Sequence, residues 1–335
     1  MNILVTGGAG FIASAIVRQL VQSQRGLVVN VDKLTYASDL ERLKDVENKS
    51  NYHFVKADIC DQATLGNLLK TYQIDAVIHA AAETHVDNSI QSPDIFLNNN
   101  VVGTYRILEA VRAYLEDWPS EKKKEFRFLQ ISTDEVYGDL LGLDKAKETS
   151  PYKPSSPYSA SKAAADHFVT SWGRTYKIPT LITHSANNYG SSQNKEKLIP
   201  KVISSILEQQ AIPVFGSGRQ VRDWIHVEDN ARGVIMVLDK GISGESYNIS
   251  AENEVENLNL INLLCDLVDE YIKSLIKIES FLTRQLIEHV KDRPGHDIRY
   301  AMDSSKVLKL GWEPKISFQE GLEMTVASAL KKEKF

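Results

Sequence analysis

Cysteine is nearly absent from this 335-residue chain: Cys60 and Cys265 are the only two, and they lie far apart. Such a pair makes neither a disulfide framework nor a cluster of metal-ligating thiolates, so no metal is expected and a reducing, cytoplasmic setting is the simplest reading. Long apolar runs are missing as well, none approaching the ~20 residues of a membrane span, and no secretory signal is visible at the amino terminus. Strong charge of one sign is also lacking, because 39 Lys+Arg against 44 Asp+Glu leave a net −5. That balance argues against nonspecific nucleic-acid binding, but it leaves room for an anionic ligand held by a few local arginines and backbone amides. No internal repeats or low-complexity segments occur. The length suffices for a large core with a smaller appended lobe.

What is present begins at Asn2-Ile-Leu-Val-Thr6, a short apolar strand running into Gly7-Gly-Ala-Gly10-Phe-Ile-Ala13 and an amphipathic helix to about Val21. Gly7 permits a tight turn, and Gly10 lets backbone approach a pyrophosphate seated on the free N–H groups of the helix. The third glycine position holds Ala13, which close helix–strand packing tolerates. A second strand, Leu27 to Val31, ends in Asp32, whose carboxylate suits both adenosine ribose hydroxyls and repels a 2′-phosphate. NAD is therefore expected over NADP. After a strand from His53 to Ala57, Asp58 and Ile59 could hold the adenine edge, although Asp58 reads equally as the cap of a helix beginning near Gln62. A fourth strand, Asp75 to His79, opens into Ala80, Ala81 and Ala82, small enough to admit a dinucleotide or simply to pack closely.

Strands and helices alternate to about residue 184: a helix from Pro93 to Glu116, a strand from Arg127 to Ile131, a helix from Ser156 to Tyr176, and a strand from Thr180 to Thr183. The pattern predicts an α/β fold, a Rossmann-like doubly wound parallel sheet with a smaller C-terminal α/β substrate lobe. Residues 1–185 are expected to form the NAD-binding domain, with later elements near 220–250 interleaved, and 186–335 mainly the substrate lobe. Within the lobe, Ile212 to Phe215 and Tyr247 to Ile249 read as short apolar runs between helices near 196–209 and 257–275. Glu121 to Lys124 reads as a solvated loop or helix end.

The chemistry concentrates in Ser132-Thr-Asp-Glu-Val136 and Tyr158-Ser-Ala-Ser-Lys162. A tyrosine four residues before a lysine shares its helix face, and the ammonium is expected to lower the phenol's pKa from ~10. Asp134 and Glu135 follow a strand at the carboxyl end of the sheet, where open parallel sheets bind ligands. Adjacent acids in different environments can divide the work of acid and base; the plainer reading is a helix cap or a solvated pair.

These residues carry a resemblance that runs nearly end to end. Thr6-Gly-Gly-Ala-Gly-Phe-Ile12, His79-Ala-Ala-Ala-Glu-Thr-His-Val-Asp87, Ile131-Ser-Thr-Asp-Glu-Val-Tyr-Gly138, Ser155-Ser-Pro-Tyr-Ser-Ala-Ser-Lys162, Asn187-Asn-Tyr-Gly190, Glu196-Lys-Leu-Ile-Pro200, Arg222-Asp-Trp224 and Asp292-Arg-Pro-Gly-His-Asp297 resemble the dTDP-glucose 4,6-dehydratase family of the extended short-chain dehydrogenase/reductases. The Thr-Asp-Glu triplet is the selective motif, since related sugar-nucleotide epimerases usually lack the acid pair.

The resemblance implies a lyase with Asp134 as acid for the leaving hydroxyl, Glu135 as base at carbon 5, Tyr158 as base for oxidation at carbon 4, Thr133 bonding the oxygen being oxidised, and Lys162 also touching the nicotinamide ribose. Implied NAD contacts, beyond Gly7 and Gly10, are Phe11, Ile12, Asp32, Lys33, Leu34, Thr35, Asp58, Ile59, Ala80, Ala81, Ala82, Glu83, Thr84, Asn99 and Asn188. Implied contacts of the nucleoside-diphosphate glucose are Thr84, Thr133, Asn187, Lys197, Leu198, Ile199, Pro200, Lys201, Pro213, Val214, Phe215, Arg222, Asn257, Arg293, Pro294, Gly295, His296 and Asp297. Without the resemblance, Arg222 would read as a surface ion pair with Asp223 or Glu228, and Pro294-Gly295 as a turn. A homodimer joined through the helices of Pro93–Glu116 and Ser156–Tyr176 is implied too, with a place in deoxysugar biosynthesis, that of rhamnose included.

Departures from the family pattern are Ala13, Asn88 for arginine, Asn99 for threonine, Ser191 for proline, and Val255-Glu256 for Trp-Lys; none removes a catalytic group. Three alternatives stand beside the main reading: a UDP-glucose 4,6-dehydratase, an NAD-dependent nucleotide-sugar 4-epimerase, and a non-catalytic NAD-binding regulator.

Overall fold

The computed structural model of the chain describes residues 1–142, 144–276 and 282–332. Six parallel strands are laid down in turn: β1 (Ile3–Thr6), β2 (Val28–Asp32), β3 (Tyr52–Lys56), β4 (Ala76–His79), β5 (Arg127–Thr133) and β6 (Thr180–Ser185). With a late strand, Ser246–Ile249, they form one sheet ordered (Ser246–Ile249)-β6-β5-β4-β1-β2-β3. Every residue of β1, β2 and β4 is buried. That is why these segments read as continuous apolar runs without a two-residue period: helices cover both faces of the sheet. The order reverses between β1 and β4, and their carboxyl ends open the crevice in which such sheets bind ligands.

The helices of this half are α1 (Phe11–Gln22), α2 (Gln62–Thr71), α3 (Val86–Gln91), α4 (Pro93–Phe96), α5 (Gly103–Leu115), α6 (Ser120–Glu125) and α7 (Pro157–Tyr176). The single helix expected from Pro93 to Glu116 is interrupted by π-helical turns over Leu97–Val102. Such widened turns commonly re-aim side chains at functional sites. Here Asn100 accepts from Glu83 N at 2.8 Å and donates to Glu83 O at 3.0 Å and to Ser161 Oγ at 2.8 Å. Asp58 does not cap α2; Asp61 does, accepting from Thr64 N at 3.1 Å, while Asp58 accepts from Cys60 N and faces Lys33 at 3.5 Å. Glu121–Lys124 lies in α6, which buries no residue.

Beyond β6 come β7 (Asn187–Tyr189), α8 (Leu198–Leu207), β8 (Ile212–Phe215), β9 (Val221–His226), α9 (Val227–Lys240), β10 (the Ser246–Ile249 strand already described), β11 (Glu254–Glu256), α10 (Asn257–Ile276), β12 (Ile287–Val290), α11 (Ser305–Leu308) and α12 (Phe318–Lys332). Two small sheets, β11-β9-β7 and β12-β8, form here. Tyr189, Ile199, Val214, Trp224, Leu264 and Leu322 share a separate apolar core. The chain returns in between, because Val234 and Val237 of α9 and Ile249 of β10 join the core of β1 and α1. The last residues expected of the lobe, 333–335, lie outside those described. Among the described residues no helix is long and apolar enough to cross a membrane.

Candidate functional site

The nucleotide end is built by the turn after β1. Gly7 takes φ +69°, and a Cβ there would stand 2.7 Å from Ala81 Cα, so only glycine lets the two loops close up. Gly10 is the N-cap of α1, which has no side-chain cap and no acid in its first turn. Those N–H groups, with the helix dipole behind them, fit a pyrophosphate. Asp32 accepts from Ala9 N at 3.0 Å, from Leu34 N at 2.8 Å and from Ser38 Oγ at 2.8 Å. Leu34 adopts φ +61° and contributes through its backbone. Gly7, Gly10, Phe11, Ile12, Asp32, Lys33, Thr35, Ile59, Ala80, Ala81, Ala82, Glu83, Thr84, Asn99 and Asn188 all line one cleft, which Leu34 and Asp58 do not. Replacing Asp32 with Ala should weaken NAD retention about 10-fold and narrow its advantage over NADP; equilibrium dialysis with both cofactors checks this.

The same cleft holds Thr133, Asp134, Glu135, Tyr158 and Lys162, with Asn187 and Lys197. β5 delivers Thr133, whose hydroxyl donates to Asp134 Oδ1 at 3.1 Å and accepts from Glu135 N at 3.3 Å. Asp134 is 4 % exposed, and its Oδ2 has no partner. Burial first, then the neighbouring Glu135, pushes its carboxyl up to about 8. Burial also raises Glu135, but Arg222 and Lys197 oppose it and Asp297 adds to it. Burial thus raises both carboxyls, and the two acids sit in unequal environments, Asp134 buried against Glu135 and Glu135 half-buried with the Arg222 and Lys197 charges opposing its shift.

Tyr158 and Lys162 open α7, which starts with a capping box: Ser156 Oγ accepts from Ser159 N at 3.1 Å, and Ser159 Oγ accepts from Ser156 N at 3.0 Å. Replacing Ser156 with Ala should cost about 1 kcal/mol, read as a lower midpoint in thermal unfolding. Lys162 Nζ donates to Ile131 O at 2.7 Å. The expected lowering of the tyrosine pKa is not the net result in the chain by itself. Burial and then the Glu135 charge raise the phenol, against a hydrogen bond with Thr133 that lowers it.

On the substrate side, Lys197 Nζ donates to Thr84 O at 2.9 Å, drawing the lobe onto the nucleotide half. Arg222 makes no surface ion pair: it is buried, donates to Val221 O at 2.8 Å and Asp297 O at 2.9 Å, and lies over the Tyr300 ring at 4.2 Å. Its supposed partners are taken, Asp223 by Ser250 and Glu228 by Arg18 at 2.5 Å. Arg293 pairs with Asp87 at 2.9 Å over the Phe215 face, and His296 meets Asp292 at 2.6 Å. Asp297 accepts from Tyr300 at 2.6 Å and from Ser155. Pro294 and Gly295 form an exposed turn and Lys201 is exposed, whereas Ile199 and Val214 belong to the lobe's core. Leu198 and Pro200 at the start of α8, and Pro213 on β8, are half-buried beside that core. Asn257 Oδ1 is buried without a partner.

Sequence reading missed Asn100, Ser161 and Tyr300. The triple asparagine at 98–100 was a usable signal; Tyr300 had none, since it meets Arg222 only through the fold.

Residues 4–325 match the family model described as GDP-mannose 4,6 dehydratase. The chain is 50% identical over 331 residues to the dTDP-glucose 4,6-dehydratase of Neisseria gonorrhoeae, covering 97% of this chain and 94% of that one. It is 50% identical over 336 residues to the Shigella flexneri dTDP-glucose 4,6-dehydratase, covering 97% and 92%. Among solved structures, the dTDP-glucose 4,6-dehydratase DesIV of Streptomyces venezuelae, with NAD bound, superposes with a TM-score of 0.89 at 36% identity, covering 100% and 98%. The UDP-glucose 4-epimerase of Thermotoga maritima, with UDP-glucose, gives 0.84 at 27%, covering 100% of both chains.

Proposed function

The chain belongs to the GDP-mannose 4,6 dehydratase family, and from that premise we propose that it is a hydro-lyase converting dTDP-glucose to dTDP-4-dehydro-6-deoxyglucose and water. The observation that carries the reading is the adjacent pair of buried Asp134 and half-buried Glu135, lining one cleft with Tyr158 and Lys162. An epimerase has no need of that pair.

The order of events follows from the sugar. A carbon 6 hydroxyl leaves poorly, and the carbon 5 hydrogen is not acidic until carbon 4 is a ketone, so oxidation comes first. Tyr158 takes the proton of the carbon 4 hydroxyl while Thr133 holds that oxygen. The glycine turn at Gly7 and Gly10, with Asp32, would hold NAD, which would supply reversible hydride transfer to and from the sugar. Glu135 then removes the carbon 5 proton as Asp134 protonates the departing hydroxyl, and a proton returns to carbon 5. Arg222, Arg293 and Lys197 supply positive charge for the diphosphate, the guanidinium forks suiting paired phosphate oxygens.

Because Asp134 must carry its proton, with a pKa of about 8, turnover should hold at neutral pH and fall as pH rises through that value. A kcat profile that stays flat well above it contradicts the assignment. The substrate is tested by incubating the protein with dTDP-glucose, UDP-glucose and other nucleoside-diphosphate glucoses. Loss of water from the dTDP sugar is expected, whereas an isomer of unchanged mass indicates epimerisation.

We assign residues 1–185, with α9 and β10, to the cofactor half and the remainder to the substrate lobe. A cytoplasmic homodimer fits two free cysteines and the exposed Ile95 and Leu97 beside α5 and α7. Sedimentation should give twice the chain mass, and Leu97→Asp should reduce it.

A further inference from the structure

Tyr158, Lys162 and Asp166 follow one another at four-residue steps on α7 and so share a helix face. Asp166 is 1 % exposed, yet the reaction above gives it no task. Its Oδ2 accepts from Ser132 Oγ at 2.6 Å and from the Tyr152 hydroxyl at 3.2 Å, and stands 3.7 Å from His184 Nε2. Its Oδ1 has no hydrogen-bond partner. Tyr152 also meets His184 Nε2 at 2.6 Å, and His184 Nδ1 meets the Tyr137 hydroxyl at 3.1 Å, which donates to Asn248 Oδ1 at 2.9 Å. At the edge of this cluster Glu148 accepts from Asn248 N.

A carboxylate this deep is costly unless a cation offsets it. Lys162 has the matching difficulty: it is 4 % exposed, and its one protein acceptor, Ile131 O, is a neutral carbonyl. Burial drives Lys162 toward the neutral amine, and Asp166 is the group that opposes it. Of the other groups around the pair, His184 stands 3.7 Å from Asp166 Oδ2, and the phenols and His79 bring no positive charge. Tyr137 and Tyr152 are phenols raised by burial, and His79 on β4 is pushed down to about 3 by burial and so is neutral.

We propose that Asp166 is a positioning residue of the oxidation step: the buried counter-charge that keeps Lys162 an ammonium beside Tyr158, itself held in place by Ser132, Tyr152 and His184. This rests on the dehydratase reading.

The test uses the Asp134→Asn, Glu135→Gln protein, in which reaction should stop after oxidation, and follows bound reduced cofactor near ~340 nm as a function of pH. Adding Asp166→Asn is expected to slow oxidation about 10²-fold and to move its rise to more alkaline pH. Affinity for dTDP-glucose should stay within about twofold, since no ground-state contact is removed. On top of Lys162→Met the same change should add little, because the two residues act as a unit. A merely adjacent charge has the opposite signature: Asp166 by itself raises the Tyr158 phenol, so its removal would move the profile to lower pH. That result, or an unmoved profile, overturns the proposal. If Asp166→Asn does not fold, the version lacking both charges, with Lys162→Met, is expected to fold, and its failure also overturns the pairing. Absence of any cofactor reduction in the parent protein would contradict the dehydratase reading itself.

Discussion

Tyr158→Phe is expected to abolish reduction of bound NAD by dTDP-glucose, with turnover falling about 10³-fold, within the range for a lost general base. The ring stays, so its edge contact with Phe96 at 6.3 Å and the fold should survive. Only the oxygen next to Thr133 is removed. Because the carbon 5 hydrogen becomes acidic only after oxidation, losing this one atom should silence every later step, and no absorbance near ~340 nm should develop on adding substrate. A variant that still reduces its cofactor would show that the proton leaves by another route.

Asp134→Asn together with Glu135→Gln should give the opposite spectrum. Oxidation does not need these two groups, so reduced cofactor should accumulate near ~340 nm while release of dehydrated product falls about 10⁴-fold. Asp134 buries an oxygen without a partner and stays protonated near neutrality, at about 8; an amide in its place keeps the shape but cannot donate the proton to a leaving hydroxyl. Burial raises Glu135 and the Arg222 and Lys197 charges oppose that shift; a glutamine in its place cannot take up a carbon-bound proton. Equal loss of cofactor reduction and of dehydration would contradict the division of labour.

The cofactor half was readable from the chain because its determinants are local. A strand, a glycine turn and a helix follow within residues 3–22, and the acid ending β2 comes directly after a second buried run. The acid pair was visible for the same reason, lying in a short segment at the end of β5. The substrate side was less legible. Arg222 has an acidic neighbour in Asp223, so a surface ion pair was the natural expectation, but its actual partners, Asp297 and Tyr300, are more than 70 residues away in the chain. Asp58 offered a plausible cap, and Asp61, three residues closer to the first turn of α2, took the role. The Tyr158 phenol shows a related limit: Lys162 four residues on is plain in the sequence, but the burial that raises the phenol in the chain by itself belongs to the assembled cleft. Burial and partners across the fold are what local spacing does not encode.

Turnover of dTDP-glucose in deuterated water, with the product weighed and its label located, tests most directly whether a carbon 5 proton is removed and a hydroxyl expelled. The account predicts a 4-keto-6-deoxy product lacking one water and carrying one solvent deuterium at carbon 5. A dTDP-hexose of unchanged elemental composition, with no label on that carbon, would contradict it.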